Sequence, residues 1–170
     1  MPAPETYGEL ENHHEAAFGW AMACCGRNTQ EAEEVLQTVY LKIVDGRAVF
    51  GNSSSFKTWL FGVIRNTAKD LQRKSAIKDA FLALLTRHQN GSRPEVEEGG
   101  PEDHLQRSQE REHVVKALAH LSRRQQEVLH LVFYQDMTIE EAARVMAVSV
   151  GSARKHYSRG KEAGGDHEHR

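Results

Sequence analysis

Apolar positions recur along this chain three and four residues apart, and strand-like alternation is scarce, so the pattern predicts helices almost throughout. A first helix is predicted over Glu15–Cys25, broken near Gly26–Asn28. Asn28 or Thr29 can cap a second helix, in which Val35, Leu36, Val39, Tyr40 and Ile43 form one stripe and Gly46 stands near the end. The loop GRAVFGNSSS then leads into FKTWLFGVIRNTAKDLQRKS. Here Phe56, Trp59, Leu60, Val63, Ile64 and Leu71 make the apolar stripe and the basic residues occupy the remaining positions; AFLALL can extend this helix by a turn or two. Residues 88–105 are rich in Gly, Pro and Glu and lack periodicity, which predicts a flexible linker. Helical spacing resumes near Gln106, with Leu118, Leu121, Val128, Leu129 and Val132 as the expected core of the leading helices. The expected architecture is all-α: a helical unit over residues 7–87, the linker 88–105, a second unit over 106–163 and a disordered tail, 164–170.

The second unit carries the sharpest local pattern. Thr138 followed three residues later by Glu141 has capping-box spacing, so a helix should begin at Ile139, with Ala142, Ala143, Val145 and Met146 as its apolar face. The run AVS interrupts it, Gly151 fits a tight corner, and Ser149 with Ser152 can cap the next helix, which holds Arg154, Lys155, His156, Tyr157, Arg159 and Lys161. A short helix, a corner and a cationic second helix are what a helix-turn-helix needs to lay a recognition helix in the major groove. An amphipathic hairpin with a solvated basic face would show the same local pattern.

The formal charge of −2 argues against a nucleic-acid binder until it is divided along the chain. Residues 1–56 hold three basic and eight acidic side chains, whereas residues 57–78 hold six basic and one acidic. Residues 87–113 hold four basic and seven acidic, and residues 144–161 five basic and none acidic. Two cationic segments inside an acidic chain suit two separate phosphate-facing surfaces, with acidic surfaces left for another partner. At 39% hydrophobic residues, a single large core is not expected. No apolar run approaches the ~20 residues needed to span a bilayer, and the acidic N-terminus lacks the order of a signal peptide, so the expected location is the cytoplasm. Adjacent Cys24 and Cys25 suit two small buried residues better than a strained disulfide or a metal site. His167 and His169 lie in the tail.

EAEEVLQTVYLKI followed by SSSFKTWLFGVIRNTAKDLQRK resembles the promoter-melting domain of the extracytoplasmic-function (ECF) sigma factors of the sigma-70 family. LSRRQQEVLHLVFYQDMTIEEAARVMAVSVGSARKHYSRGKEA resembles their second domain, which reads the −35 element. The two motifs occur in the family's order and cover most of the chain. The resemblance implies that the chain binds core RNA polymerase and promoter DNA and is controlled by an anti-sigma factor; from the residues themselves no cofactor, metal, catalytic residue or membrane insertion is expected. By this resemblance the helix from Glu31 to Ile43 is the polymerase-docking surface, with Glu31, Glu33, Glu34, Gln37, Thr38 and Leu41 as contact residues; the carboxylates suit arginines of the partner. A solvated acidic helix start is the plainer alternative.

The −10 contacts are then expected from Lys57, Arg65, Asn66, Lys69, Asp70, Arg73 and Lys74. Cations hold the backbone of a separated strand, and Asn66 lies at the family's pocket for a flipped base, where an amide offers both donor and acceptor. Trp59 reads as core rather than as a stacking platform. The −35 contacts are expected from Ser149, Ser152, Arg154, Lys155, His156, Arg159 and Lys161. Arg154 and Arg159 suit guanine or phosphate, and Lys155 and Lys161 suit phosphate. Two positions depart from the family pattern: Thr38 replaces a usual acidic residue, where phosphorylation would restore charge, and His156 stands where Arg is frequent. A stand-alone helix-turn-helix regulator would account for the second unit but leave the acidic helix and FKTWLFGVIRNTAKD unexplained. An enzyme has little support, since no phosphate loop or catalytic constellation is present.

Overall fold

The computed structural model describes residues 2–87 and 120–165. Among them are six helices: α1 (Pro4–Cys24), α2 (Thr29–Val44), α3 (Phe56–Arg87), α4 (Arg123–Phe133), α5 (Ile139–Met146) and α6 (Val150–Gly165). The predicted linker, the tail histidines and Leu118 lie outside the described residues.

Three helix starts follow the predicted caps. The Asn28 side chain accepts from the Glu31 N–H at 3.1 Å, Thr138 accepts from Glu141 N–H at 3.1 Å, and Ser149 accepts from Ser152 N–H at 3.1 Å. Each satisfies one of the free amides at a helix start. A fourth, at Ser122, is a complete capping box with Gln125. Helix α1 starts about three turns earlier than the periodicity predicts. Its start has no side-chain cap and relies on Pro4, whose fixed φ suits the first helical turn, and on Glu5 beside the positive end of the helix. Gly46, at φ 73°, ends α2 in the left-handed conformation.

Helices α1, α2 and α3 pack on one another around Trp20, Val35, Val39, Leu60, Phe61 and Ile64, all at most 2% exposed. The Trp20 indole donates Nε1–H to the Phe61 carbonyl at 3.0 Å and its ring lies nearly parallel to Phe61, so the polar edge is satisfied in the core. Predicted stripe and core agree here. Beyond Gln72 the picture changes: every residue of α3 from Arg73 to Arg87 is exposed, including the apolar Ile77, Phe81, Leu84 and Leu85.

Helices α4, α5 and α6 form the predicted helix-turn-helix unit around Val128, Leu131, Ala142, Val145, Met146 and Ala153. The corner is made by Ala147, at φ 54°, and not by Gly151, which lies in the first turn of α6. A glycine does matter at 160: a Cβ there would stand 2.9 Å from Leu129 Cδ1, so α6 approaches α4 closely at that point.

The two units are not merely tethered. Helix α5 packs along α3, α1 meets α4, and the buried residues of both units join in one apolar cluster. Small cores that bury little surface alone gain by this merger.

Candidate nucleic-acid and polymerase interfaces

On α2, Glu31, Glu33, Glu34 and Gln37 are exposed, and Thr38 is half-buried with its hydroxyl donating to the Glu34 carbonyl at 2.8 Å. Leu41 is 58% exposed on the same side, and Val44, one turn further on, is 44% exposed. Two exposed aliphatic side chains thus stand beside the carboxylates, a surface on which apolar contact can supply affinity and the charges orientation. Val44 was not among the sequence-derived contacts.

The seven expected −10 residues separate into two groups. Asn66, Asp70, Arg73 and Lys74 are exposed on α3, at spacings that keep them on one side of the helix. Arg65 is not an exposed cation: it is 4% exposed, and its Nε donates to Glu127 Oε2 of α4 at 2.8 Å. Lys57 donates to the Gln135 carbonyl at 2.7 Å and lies over the Phe61 ring. Lys69 is half-buried, and burial, with Arg65 next to it, pulls its amine down from the usual lysine range.

The reason for the correction is positional. Arg65 falls four residues after Phe61 and three before Ala68, on the buried stripe rather than beside it. A buried charge needs a partner of opposite sign, and Glu127, likewise on the apolar side of α4, supplies it.

Asn66 borders an open cleft of about 330 Å³ with Ser53, Ser54, Thr58, Trp59, Gly62 and Val63 from the first unit and Arg144 from the second. Trp59 packs with Phe50 and Phe56 at ring separations of 5.4 and 5.3 Å, yet it is only half-buried and one side of it faces this cleft. The core reading of Trp59 therefore covers part of its surface. Arg144 reaches across from α5 and donates to the Ser53 carbonyl at 2.7 Å.

Further polar ties cross the same seam. Arg123 donates to the Cys24 carbonyl at 3.0 Å and to the Gln72 side chain. Gln135 donates to the Ala16 carbonyl at 3.3 Å. His130 stacks on Tyr134 and meets Trp20 of α1; burial, with Arg27 nearby, pulls its imidazole down to about 4. Glu127, Gln135, Arg144 and Arg123 were missed as interface residues. The signal available for Glu127 was a carboxylate beside Val128 and four residues before Leu131.

The recognition helix is presented differently. Arg154, Lys155, Arg159 and Lys161 are exposed, and Ser152 and His156 are half-buried. Ser149 serves as the cap. Arg154 has a weak exposed pairing with Glu140 at 3.4 Å, and Lys161 lies 5.2 Å from the Tyr157 ring.

Cys24 and Cys25 are buried thiols at the α1 end. Burial first, with Glu127 second, pushes Cys24 up, and burial with Glu31 pushes Cys25 up to about 11. Neither is poised as a thiolate.

Residues 10–77 match the family model "Sigma-70 region 2", and residues 111–163 match "Sigma-70, region 4". The chain is similar to RNA polymerase sigma factor CarQ of Myxococcus xanthus, 25% identical over 160 residues, covering 94% of this chain and 87% of that protein. It is also similar to RNA polymerase sigma factor YlaC of Bacillus subtilis, 26% identical over 121 residues, covering 71% and 68%. Two solved structures share the fold. One is the sigma factor RpoE in complex with the anti-sigma factor NepR from Bartonella quintana, with TM-score 0.70, 20% identity and 96% of each chain covered. The other is CnrH in complex with the cytosolic domain of CnrY, with TM-score 0.63, 20% identity and 96% and 88% covered. With region 2 and region 4 matched in order over well more than half its length, the chain belongs to the sigma-70 family of RNA polymerase sigma factors, in the extracytoplasmic-function form, and works as a sigma factor that brings core polymerase to promoters.

Proposed function

We propose that three surfaces of the chain divide the work of initiation. The stripe of Glu31, Glu33, Glu34, Gln37, Thr38 and Leu41 on α2, extended by Val44, docks on a cationic surface of core polymerase. Asn66 and its cleft take an unpaired base of the −10 element, with Arg73 and Lys74 along the strand backbone. Arg154, Lys155, His156, Arg159 and Lys161 on α6 hold the −35 duplex. The observation that carries this reading is the occurrence, on one chain, of an exposed acidic–aliphatic stripe, an amide at a cleft edged by Trp59, and an exposed cationic recognition helix. The chain supplies recognition; the chemistry belongs to the polymerase.

The RpoE neighbour is held by an anti-sigma factor, and we extend that mode of control to this chain. No helix among the described residues is long and apolar enough to cross a membrane. In vitro transcription with core polymerase on a promoter library is the test. A set of polymerase-dependent, sequence-selective starts is expected; operator binding without polymerase and no such starts would favour a stand-alone regulator. Asn66→Ala should lower open-complex formation while leaving core binding intact, whereas Glu33→Lys should weaken core binding itself and lower open complexes only as a consequence.

A further inference from the structure

Where the side chains of α3 reach α4, three cations are left without a counter-charge. Arg65, Lys69 and Gln72 follow one another at helical spacing on α3, so they share one face. Both ends of this row are bonded to the first two turns of α4: Arg65 Nε donates to Glu127 Oε2 at 2.8 Å, and the Gln72 side chain accepts from Arg123. Lys69, between them, therefore faces the stretch of α4 from Arg123 to Glu127, which also carries Arg124. The carboxylate of that stretch is taken by Arg65. Arg123 is bonded to neutral acceptors, the Cys24 carbonyl and the Gln72 amide, which leave its charge uncancelled. Among the described residues, no carboxylate lies within ion-pair distance of Lys69, Arg123 or Arg124. Burial, then Arg65, pulls the Lys69 amine below the usual lysine range; Glu127 opposes them, and Arg124 and Arg123 add to them. Like charges gathered at the edge of a packed seam raise the energy of the free chain until an anion joins them.

We propose that Lys69, Arg123 and Arg124 form a binding site for a free, multiply charged phosphate anion of the pyrophosphate or nucleoside-polyphosphate class. Arg123 and Arg124 are exposed and Lys69 is half-buried, so a solute reaches all three. Arg123 uses Nη2 for both of its bonds, which leaves the N–H groups of Nε and Nη1 for a ligand. Guanidinium N–H pairs match the oxygens of a phosphate, and the lysine adds a point charge between them. The Arg65–Glu127 pair forms the back of the site and keeps the nearby carboxylate occupied. Phosphate could come from a free anion or from the backbone of a DNA strand. The cations converge on Lys69 from two helices, which suits a compact anion better than a backbone with its phosphates spread along it. The site is separate from the Asn66 cleft, whose lining includes none of these residues, and does not depend on how that cleft is assigned.

The test is calorimetric titration of pyrophosphate into the full chain, with ionic strength held constant by sodium chloride. The parent is compared with Lys69→Gln, Arg124→Gln and a control, Lys78→Gln, which removes an exposed cation further along α3. Expected is saturable one-to-one binding by the parent and by Lys78→Gln, weakened about tenfold in each of the two site variants. Thermal unfolding supplies a readout that a merely structural role would not move. Without pyrophosphate, Arg124→Gln should melt above the parent, because fewer like charges face one another; with saturating pyrophosphate it should melt below the parent. Binding that follows ionic strength alone, survives both site variants, or is lost equally in Lys78→Gln would overturn the site. So would a melting order that pyrophosphate leaves unchanged. A short single-stranded DNA of mixed sequence is titrated in parallel. If it needs Lys69 and Arg124 while pyrophosphate does not bind, the cluster belongs to a strand backbone and the free-anion assignment is overturned.

Discussion

Segments 57–78 and 144–161 each carry a formal balance of +5, and along the sequence they look like matched grips on DNA. Folding treats them differently. In the first, Arg65 and Lys57 are spent on contacts inside the protein, and the side they come from is faced by region 4. In the second, Arg154, Lys155, Arg159 and Lys161 stand in solvent, tied at most by one long exposed ion pair and one ring contact. Net charge reports how many cations a segment has, not how many remain free to meet a phosphate.

That contrast can be broken from either side. The largest effect should come from Trp20→Ala, which removes the fully buried ring and the hydrogen bond that seat α3. Chemical denaturation should show a loss of about 3–5 kcal/mol, whereas a loss near zero would mean that α3 is held elsewhere. Acidification probes the seam through His130. Its folded-state value of about 4 lies below its ordinary 6.5, so the unfolded chain binds the extra proton. Stability should therefore be full above pH 6.5 and fall as the pH drops from 6.5 towards 4. His130→Gln should flatten that part of the pH profile of thermal unfolding.

On the other side, Gly160→Val should press on Leu129 and lift α6 from α4 at a cost of about 1–3 kcal/mol. Gly160→Ala should be much milder, since the helix gains roughly what the contact with a flexible leucine loses. Ser122→Ala, which opens the capping box of α4, should cost about 1 kcal/mol by the same denaturation assay. The smallest effect sharpens the contrast itself: Lys155→Gln should reduce the salt slope of duplex binding by about 0.9, while Arg65→Gln in the free chain should leave that slope unchanged.

Local features were legible. Asn28, Thr138 and Ser149 cap the helices their spacing predicts, because a cap needs only a side chain and an amide three residues away. The helix-turn-helix followed from the same short-range logic, although its corner uses Ala147 in a left-handed conformation that its residue type does not announce. The early start of α1 escaped because Pro4 and Glu5 favour a helix without a side-chain cap to mark it. Arg65 was legible in part: its place between Phe61 and Ala68 marks burial, which a sum of charges over the segment conceals. Its partner was not legible, since Glu127 lies 62 residues away and no local pattern joins them. The same holds for the whole seam between the units, which is made of contacts distant in sequence.

The most direct measurement is the distance between the two units before and after polymerase is added. Fluorophores placed through non-natural residues at the exposed positions Asn12 on α1 and Ser158 on α6 leave the buried cysteines untouched. Energy transfer in the free chain should give one short distance, and core polymerase should lengthen it. A free chain already as extended as the polymerase-bound one would contradict the account.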